Sequence, residues 1–265
     1  MAVTDDLYER QRRSFESVAE AYDRYRPTYP DELIADVRSY ADLAPDDAIL
    51  EVGCGTGRGT IRFAEWGNPI VAIESAPAMA DIARRNLASF DHVDVRTARF
   101  EDADIDSGAF GMVSCFQAWH WLDEATRIER FADALYAHGT AAIIGNVQVT
   151  PEHNLPFWER VQHVYRTHTP GMEHQGDFRK PDDLPPHPLE GSELFVDLEL
   201  ATRPWHWTLN TADYLGLCAT HSNKAALDSD TRERLLAGIG ELIDAEFDGH
   251  VTEYYVAVAG LARKR

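Results

Sequence analysis

Four glycines fall within seven positions, 53–59, directly behind the short apolar run 48–52. Glycine is costly in regular structure, so such a cluster marks a tight turn or a close approach of the backbone to a ligand. A dinucleotide-binding loop, G-x-G-x-x-G, would need its third glycine at position 58, where the chain has Arg58. The third glycine is instead Gly57. This spacing favours a ligand that approaches the backbone closely without seating a pyrophosphate on the following helix.

A carboxylate ends the next apolar segment. Glu74 closes the run 69–74 and lies 17 residues after Gly57. In nucleotide sites of this geometry, an acid at a strand end accepts hydrogen bonds from the ribose hydroxyls. A lone glutamate there is more often a solvated strand terminus. Behind a glycine loop we interpret it as part of an adenosine site.

Histidine is the other residue type here that could do chemistry. His120 follows a predicted strand, between Trp119 and Trp121. Its ordinary pKa of about 6.5 suits a general base or a hydrogen-bond donor to a substrate. A histidine packed between two tryptophans is an equally good interpretation. Three further histidines, at positions 163, 168 and 174, match no metal-ligand spacing, so no metal site is predicted.

The elements that must position these residues alternate along the chain. Short apolar runs are separated by segments of helical periodicity, which is typical of a doubly wound parallel sheet. We predict an α/β fold with a mostly parallel seven-stranded sheet, N-terminal helices, and a helical and loop insertion. The predicted strands are 48–52, 69–74, 93–98, 110–116, 140–147, 195–209 and 251–261. The predicted helices lie near 15–26, 30–40, 56–66, 79–87, 123–138 (stopped by Gly139), 155–167 and 230–247 (capped by Asp230).

The amino-acid composition limits the kinds of partner that the protein is expected to bind. The 265 residues carry a formal net charge of −20, which repels nucleic-acid phosphates and anionic membranes. No apolar run approaches the roughly 20 residues that cross a bilayer, and the charged N-terminus lacks the apolar core of a secretion signal. The three cysteines form no CxxC pair, which favours a reducing compartment. We expect a cytoplasmic protein that binds neither nucleic acid nor membrane.

Three motifs together resemble the class I S-adenosylmethionine-dependent methyltransferases. They are LEVGCGTG at 50–57, Glu74 at the strand end, and FGMVSCFQAWHWLD at 110–123. YDRYRPTYP at 22–30 and AWHW at 118–121 are similar to the branch of trans-aconitate methyltransferase-like enzymes that act on small molecules. The resemblance covers residues 10–148 well and the rest loosely. It implies a Rossmann-like methyltransferase fold and S-adenosyl-L-methionine as the cofactor.

The resemblance also implies roles for individual residues. Those implied at the methionine end of the cofactor are Glu51, Gly53, Gly55 and Gly57. Those implied at the adenosine are Glu74 for the ribose, Ser75 and Met79 near the adenine, and Phe100 and Glu101 for adenine contacts through a backbone N–H and a carboxylate. Gln117 is expected to face the cofactor from the end of the fourth strand. One departure is Gly111, where the family usually has aspartate.

The N-terminal segment is expected to act as a lid. Helical spacing puts Tyr22, Tyr25 and Arg26 on neighbouring faces. The resemblance implies that this segment folds over the site, with Tyr22 at the cofactor and Arg26 pairing the cofactor carboxylate or an acidic substrate. The alternative is a solvated helix with tyrosines on the core. We predict four parts: a lid (1–44), a cofactor-binding core (45–150), a substrate-side insertion (151–191) and a segment that completes the sheet (192–265).

The leading functional prediction is methyl transfer from S-adenosylmethionine to a small-molecule acceptor, with a carboxylic acid favoured. A carboxylate needs no base, because its nucleophilic oxygen is already ionised. Two alternatives remain open. One is a module that binds the cofactor without transferring a methyl group. The other is a nucleotide-dependent oxidoreductase, which the spacing of the third glycine disfavours.

Overall fold

The computed structural model describes residues 18–172, 179–225 and 227–265. The first part of the predicted lid and His174 lie outside the described residues.

Within the described residues, seven strands form one sheet in the order β3-β2-β1-β4-β5-β7-β6. The strands are β1 (Ile49–Val52), β2 (Ile70–Glu74), β3 (Val93–Thr97), β4 (Phe110–Phe116), β5 (Leu135–Val149), β6 (Phe195–Asn210) and β7 (His250–Lys264). The first five pair in parallel, whereas β7 runs antiparallel to both β5 and β6. The predicted mostly parallel seven-stranded sheet is confirmed.

Helices separate β1 from β2, β2 from β3 and β4 from β5, as predicted, and no described helix joins β3 to β4. The described residues contain nine α-helices. They are α1 (residues 18–25), α2 (Asp31–Ala41), α3 (Arg58–Ala64), α4 (Pro77–Asn86), α5 (Arg127–Ala134), α6 (Leu155–His168), α7 (Thr211–Ala219), α8 (Ser222–Ala225) and α9 (Ser229–Glu246). Two short 3-10 helices cover Trp119–Trp121 and Glu152–Asn154.

The central strands of the sheet are buried on both faces. Ile49 and Met112 pack into one apolar cluster, and Leu50 and Val113, the next residues along the same strands, pack into another. This alternation places one cluster on each side of the central strands, and strands buried on both faces carry nearly continuous apolar sequence. A third cluster joins α6, α7 and α9 to the ends of β6 and β7.

The end of α5 differs from the prediction. The helix stops at Ala134, because Leu135 already pairs with Phe110 as the first residue of β5. The ladder is then irregular until Thr140 pairs with Met112. The prediction that the helix continues to Gly139 is therefore wrong. Strand pairing takes over five residues earlier than the sequence pattern indicated.

The C-terminal helices also differ from the prediction. α7 and α8 were not predicted. α9 begins at Ser229 behind Asp228, whose carboxylate accepts the backbone N–H of Thr231 at 2.9 Å. The predicted cap, Asp230, already lies inside the helix. The capping residue is two positions earlier than expected.

No helix in the described part of the chain is both long and apolar enough to cross a membrane. Among the same residues, no three histidine, cysteine, aspartate or glutamate side chains converge as a metal site would require.

Candidate functional site

A cleft opens at the carboxyl ends of β1 and β4. The order of the strands reverses at this point, because β1 pairs with β2 on one side and with β4 on the other. Open parallel sheets bind their ligands at such a switch point. The cleft consists of two adjoining cavities, of about 790 Å³ and 470 Å³ measured to their mouths. Residues common to both walls are Tyr22, Gly53, Gly55, Phe116 and Gln117.

The glycine loop forms the floor between the two cavities. The N–H groups of Gly53 and Cys54 both donate to the carbonyl of Ile73, at 2.8 and 3.0 Å, which ties the end of β1 to the end of β2. A Cβ on Gly53 would lie 2.6 Å from the Cβ of Ala118. Gly55 has a φ of +58°, and a Cβ there would meet no atom within 4 Å. Gly55 therefore faces open space in the cleft.

Gly57 has a different place from the other two glycines. It is not among the residues that line either cavity. A Cβ on Gly57 would lie 3.0 Å from a side-chain carbon of Leu87, just beyond α4. Its small size serves the packing of the loop against α4.

Glu74 closes one wall of the larger cavity. One carboxylate oxygen accepts the N–H of Gly55 at 2.8 Å, and the other accepts the N–H of Ala76 at 2.7 Å. Burial raises the pKa of Glu74, although these hydrogen bonds and the Ser75 hydroxyl oppose the shift. Each carboxylate oxygen can accept two hydrogen bonds. Oε1 already accepts both the Ala76 N–H and the Ser75 hydroxyl, whereas Oε2 accepts only the Gly55 N–H. Glu74 can therefore hold the glycine loop and still accept one hydroxyl group from the cavity through Oε2, and a second one when the Ser75 hydroxyl turns away.

The rest of the larger cavity is mainly apolar. Met79 is buried, and Phe100 packs edge-to-face on Phe131 with ring centres 5.6 Å apart. Glu101 lines the same wall, but its carboxylate already accepts the N–H of Asp123 at 3.1 Å. The residues that line this cavity include seven of the predicted adenosine or loop residues: Gly53, Gly55, Glu74, Ser75, Met79, Phe100 and Glu101.

The smaller cavity carries two guanidinium groups. Arg26 donates from Nη2 to the carbonyl of Thr220 at 2.9 Å, and Arg58 donates from Nη1 to the carbonyl of Asp23 at 2.6 Å. The Nε atoms of both arginines are buried without a hydrogen-bond partner. Tyr29 shares this wall, and burial raises its pKa. The smaller cavity is thus suited to an anionic group.

Glu51 lies behind the glycine loop rather than on the wall of the cleft. It is fully buried in β1, and neither carboxylate oxygen has a hydrogen-bond partner of good geometry. Burial raises its pKa to about 8, a shift that the Thr60 hydroxyl opposes and the charge of Glu74 increases. A buried carboxylate without a partner is costly. It would be stabilised by positive charge entering the neighbouring cleft.

His120 lies outside both cavities. It is exposed in the short 3-10 helix after β4, and its ring centre lies 4.5 Å from that of Trp121. Partial desolvation and then the charge of Arg127 lower the pKa of His120. Trp121 lines the larger cavity, whereas His120 does not. The structure therefore separates the predicted catalytic histidine from the walls of the cleft.

Gln117 stands where the two cavities meet. Its backbone has a φ of +56°, unusual for a residue other than glycine. Its backbone N–H donates to Ile144, and its side-chain Nε2 donates to the carbonyl of Asn146 at 3.0 Å. This geometry is consistent with the predicted position of Gln117 at the cofactor.

Gly111, the departure from the family pattern, lies at the opposite end of β4. A Cβ there would lie 2.9 Å from Asp47, Leu43 and Tyr136 atoms. Close packing at the amino end of the strand accounts for this glycine, far from the cleft.

Among the cleft residues that were not assigned to it from the sequence are Arg58, Tyr29 and Asn146. Arg58 was noted only because it displaces a glycine, although a guanidinium next to the loop was the available signal. Tyr29 stands within the stretch 22–30. Asn146 lies in β5 two residues past the buried run that ends at Ile144, and only the fold brings it beside Gln117.

Residues 49–139 match the profile of a methyltransferase domain family. The matched segment begins at β1 and includes the glycine loop, Glu74 and β4. This segment of the chain is similar to methyltransferase domains. The match agrees with the sequence-based prediction of a methyltransferase.

Two curated proteins that are named as methyltransferases are similar in sequence to this chain. An uncharacterised methyltransferase of Mycobacterium tuberculosis is 33% identical over 135 residues, which cover 51% of this chain and 53% of that protein. A ubiquinone biosynthesis O-methyltransferase of Xanthomonas axonopodis is 31% identical over 147 residues, covering 54% of this chain and 62% of that protein. The chain thus spans little more than half the length of the curated relatives it matches.

Solved structures extend the likeness to the fold. The phosphoethanolamine N-methyltransferase 2 of Haemonchus contortus, solved with S-adenosylhomocysteine and phosphomonomethylethanolamine, superposes with a TM-score of 0.53. The two sequences are 14% identical, and the match covers 94% of this chain and 57% of the other. At this identity the likeness concerns the fold alone.

Proposed function

We propose that the protein transfers a methyl group from S-adenosylmethionine to a small-molecule acceptor. The observation that carries this proposal is the two-part cleft on the glycine loop. Its larger cavity is apolar with one carboxylate, Glu74, and its smaller cavity holds the guanidinium groups of Arg26 and Arg58. S-adenosylmethionine has the same division, with an apolar nucleoside that bears two hydroxyls and an amino acid that ends in a carboxylate.

Two features of the ligand-free chain support the fit of this cofactor. Gly55 presents open space where any side chain would intrude. Glu51 is a buried carboxylate whose oxygens have no hydrogen-bond partner of good geometry, and Glu74 is a second buried carboxylate nearby. Two buried acids beside a cleft favour a ligand that carries positive charge.

The residues that would hold the cofactor follow from these walls. Glu74 would accept the ribose hydroxyls, with Ser75, Met79, Phe100 and Glu101 around the adenine. Gly53 and Gly55 would let the backbone approach the ligand. Arg26 and Arg58 would pair its carboxylate, and Tyr22 and Gln117 would lie at the junction of the two cavities. Glu51 would act through charge from behind the loop, and Gly57 through packing of the loop.

The cofactor supplies a methyl group that is already activated on a sulfonium. The protein's task is therefore to hold the acceptor in line with it and to exclude water. Tyr22 and Phe116 belong to both cavity walls, so the end of α1 and the end of β4 can close the junction from opposite sides. Residues 18–25 fit the predicted role of a lid, which the proposal retains.

For the acceptor we propose a carboxylic acid. No histidine or lysine lines either cavity in the described residues. Burial raises the pKa of Tyr22 and of Tyr29, which makes both phenols poor bases. An ionised carboxylate needs no base. The finer placement in the trans-aconitate methyltransferase-like branch belongs to this proposal and depends on the same acceptor class.

Calorimetry and product analysis test the proposal together. The protein should bind S-adenosylmethionine and S-adenosylhomocysteine, and it should not bind NAD. A panel of carboxylic acids, phenols and amines should give methylated product with one or more acids. Binding without any product would favour the alternative of a non-catalytic binding module. Tight NAD binding without binding of the sulfonium cofactor would favour the oxidoreductase alternative.

Glu74→Ala should weaken S-adenosylhomocysteine binding about 30-fold, or about 2 kcal/mol, because it removes hydrogen bonds to a charged acceptor. Part of that loss comes from the Gly55 N–H, which also loses its partner. Isothermal calorimetry measures the effect. Glu65→Ala, an exposed glutamate at the end of α3, is the matched control and should bind as the wild type does. An unchanged dissociation constant in Glu74→Ala would show that another residue binds the ribose.

His120→Ala should slow methyl transfer by less than about tenfold, since its ring is exposed and outside the cavity walls. Loss of a general base would cost roughly 10²–10⁴-fold. Single-turnover rates against pH distinguish the two, with His250→Ala as an exposed histidine far along the chain for comparison. A large loss, together with a wild-type rate that rises with pH below about 6.5, where the lowered pKa of His120 lies, would make His120 the base and the acceptor a hydroxyl compound.

A further inference from the structure

One asparagine joins α1 to the glycine loop. Asn86 is the last residue of α4, and its side-chain Nδ2 lies 2.9 Å from both the Oδ1 of Asp23 and the backbone carbonyl of Thr56. An amide nitrogen carries two hydrogens, so it can donate to both acceptors at once. The first acceptor belongs to α1, and the second belongs to the loop that lines the smaller cavity.

A second bond reaches the same residue of α1. The carbonyl of Asp23 accepts Nη1 of Arg58 at 2.6 Å. Arg58 opens α3 directly after the glycine loop, whereas Asn86 closes α4. Asp23 is therefore held by its side chain from one helix and by its backbone from another, and the glycine loop lies next to both contacts.

The neighbours of Asp23 face the cleft. Tyr22 lines both cavities and Arg26 lines the smaller one. The Arg26 N–H donates to the Tyr22 carbonyl at 3.1 Å, and its guanidinium lies 5.0 Å from the centre of the Tyr22 ring. These contacts make one unit of residues 22–26. Whatever fixes Asp23 also fixes the position of Tyr22 and Arg26 over the cleft.

We propose that Asn86 is a positioning residue that couples closure of α1 over the cleft to the conformation of the glycine loop. The coupling follows from one amide that serves both segments. A ligand that orders the loop keeps the Thr56 carbonyl in place, which keeps Asn86 oriented toward Asp23. Thermodynamic linkage makes this effect reciprocal. Loss of the contact between Asn86 and α1 must weaken ligand binding by the same factor by which ligand binding strengthens that contact. The part of this proposal that concerns the ligand rests on the proposed function. The two hydrogen bonds of Asn86, which form the joint between α1 and the glycine loop, do not depend on it.

The chain offers a matched control on the same two helices. Arg85, the neighbour of Asn86, forms an ion pair with Glu20 of α1 at 2.6 Å, and both side chains are exposed. This pair links α1 to α4 without touching the glycine loop. Exposed ion pairs contribute little, so Arg85→Ala removes a contact between these helices and leaves the joint intact.

Hydrogen exchange of residues 18–25 in the ligand-free protein tests the joint. Asn86→Ala should lower protection there by about tenfold, as expected for loss of one hydrogen bond to a carboxylate. Arg85→Ala should change it by less than about twofold. The double variant Asp23→Ala/Asn86→Ala should match the Asp23→Ala variant, because both substitutions remove the same bond. Equal losses for Asn86→Ala and Arg85→Ala, or fully additive losses in the double variant, would overturn the proposal.

Binding of S-adenosylhomocysteine tests the coupling. Its dissociation constant should rise about tenfold in Asn86→Ala and stay within about twofold of the wild type in Arg85→Ala. Denaturant unfolding should show that both variants keep the folded core. If the wild type binds and Asn86→Ala binds equally well, the coupling is wrong. If the wild type does not bind at all, the proposed function fails, and the exchange experiment still decides whether Asn86 holds α1.

Discussion

Gly55→Val should abolish detectable binding of S-adenosylhomocysteine while the chain remains folded. Gly55 lines both cavities, and nothing lies within 4 Å of the position that a Cβ would take. The branched side chain would therefore occupy the space that the ligand needs. We expect a loss of at least about 100-fold in affinity, or roughly 3 kcal/mol, measured by calorimetry.

The substitution also strains the backbone, so it needs a control with equal strain. Gly55 has a φ of +58°, a conformation that costs a residue other than glycine about 1–2 kcal/mol. Gly108 has a φ of +68°, also with open space around its Cβ position, and it precedes β4 at the end of the strand away from the cleft. Gly108→Val should lose similar stability and keep full affinity. Equal loss of affinity in both variants would mean that strain, and not occupancy of the cleft, explains the effect.

The order of elements could be predicted because the central strands carry their own pattern. Five apolar runs separated by helical segments can form little other than a doubly wound sheet. The helix α7 was missed because its sequence is weakly patterned and its support is tertiary. Its first turn is held by Asn210, which accepts the N–H of Asp213 at 2.9 Å, and a Cβ on Gly216 would lie 2.7 Å from the ring of Tyr25. The Asn210 cap was the local signal available.

The end of α5 shows how tertiary pairing overrides a local signal. Gly139 is a good helix stop, and it was interpreted as one. The chain leaves the helix at Ala134 because Leu135 pairs with Phe110. The carbonyl of Leu135 also accepts Nζ of Lys264, 129 residues away. No pattern within the helix indicates a partner so distant.

The cleft could be predicted where its residues are consecutive. Gly53 and Gly55 line it because the loop itself forms the floor, and Glu74 lies next to them through its bond to Gly55. Arg58 lines the cleft at the start of α3, and its guanidinium contacts Asp23 of α1, 35 residues earlier. Glu51 was placed at the cofactor by resemblance, whereas the structure buries it behind the loop. Spacing along a strand does not tell which side of the loop a side chain will reach.

Glu51→Gln should remove a pH-dependent loss of stability from the ligand-free protein. Burial raises the pKa of Glu51 from 4.5 to about 8. As pH rises above 4.5, the unfolded chain releases this proton while the folded chain retains it. The folded state is therefore destabilised progressively up to about pH 8, by about 3 kcal/mol at pH 7 from this group alone. The glutamine variant has no proton to release and escapes this loss.

The measurement is the difference in unfolding free energy between Glu51→Gln and the wild type, from denaturant titrations at pH 5, 6, 7 and 8. The difference should grow in favour of the variant by about 1.4 kcal/mol per pH unit until it levels near pH 8. Glu65→Gln, whose carboxylate is exposed in the folded chain, should run parallel to the wild type. Curves that stay parallel at all four pH values, with a constant difference between Glu51→Gln and the wild type, would show that Glu51 ionises as freely in the folded chain as in the unfolded one. The constant difference would then reflect only packing of the new amide.

Binding of a positively charged ligand should change the ionisation of Glu51, and this change distinguishes the effect of the ligand's charge from that of its shape. A cationic ligand in the cleft favours the ionised form of Glu51, so binding of S-adenosylmethionine at pH 7 should release part of a proton. Calorimetry in two buffers of different ionisation enthalpy measures that release, and Glu51→Gln should abolish it. S-adenosylhomocysteine lacks the sulfonium charge and should release less. If the two ligands release the same number of protons in the wild type, the sulfonium does not act on Glu51. The carboxylate would then respond only to the amino-acid end of the ligand.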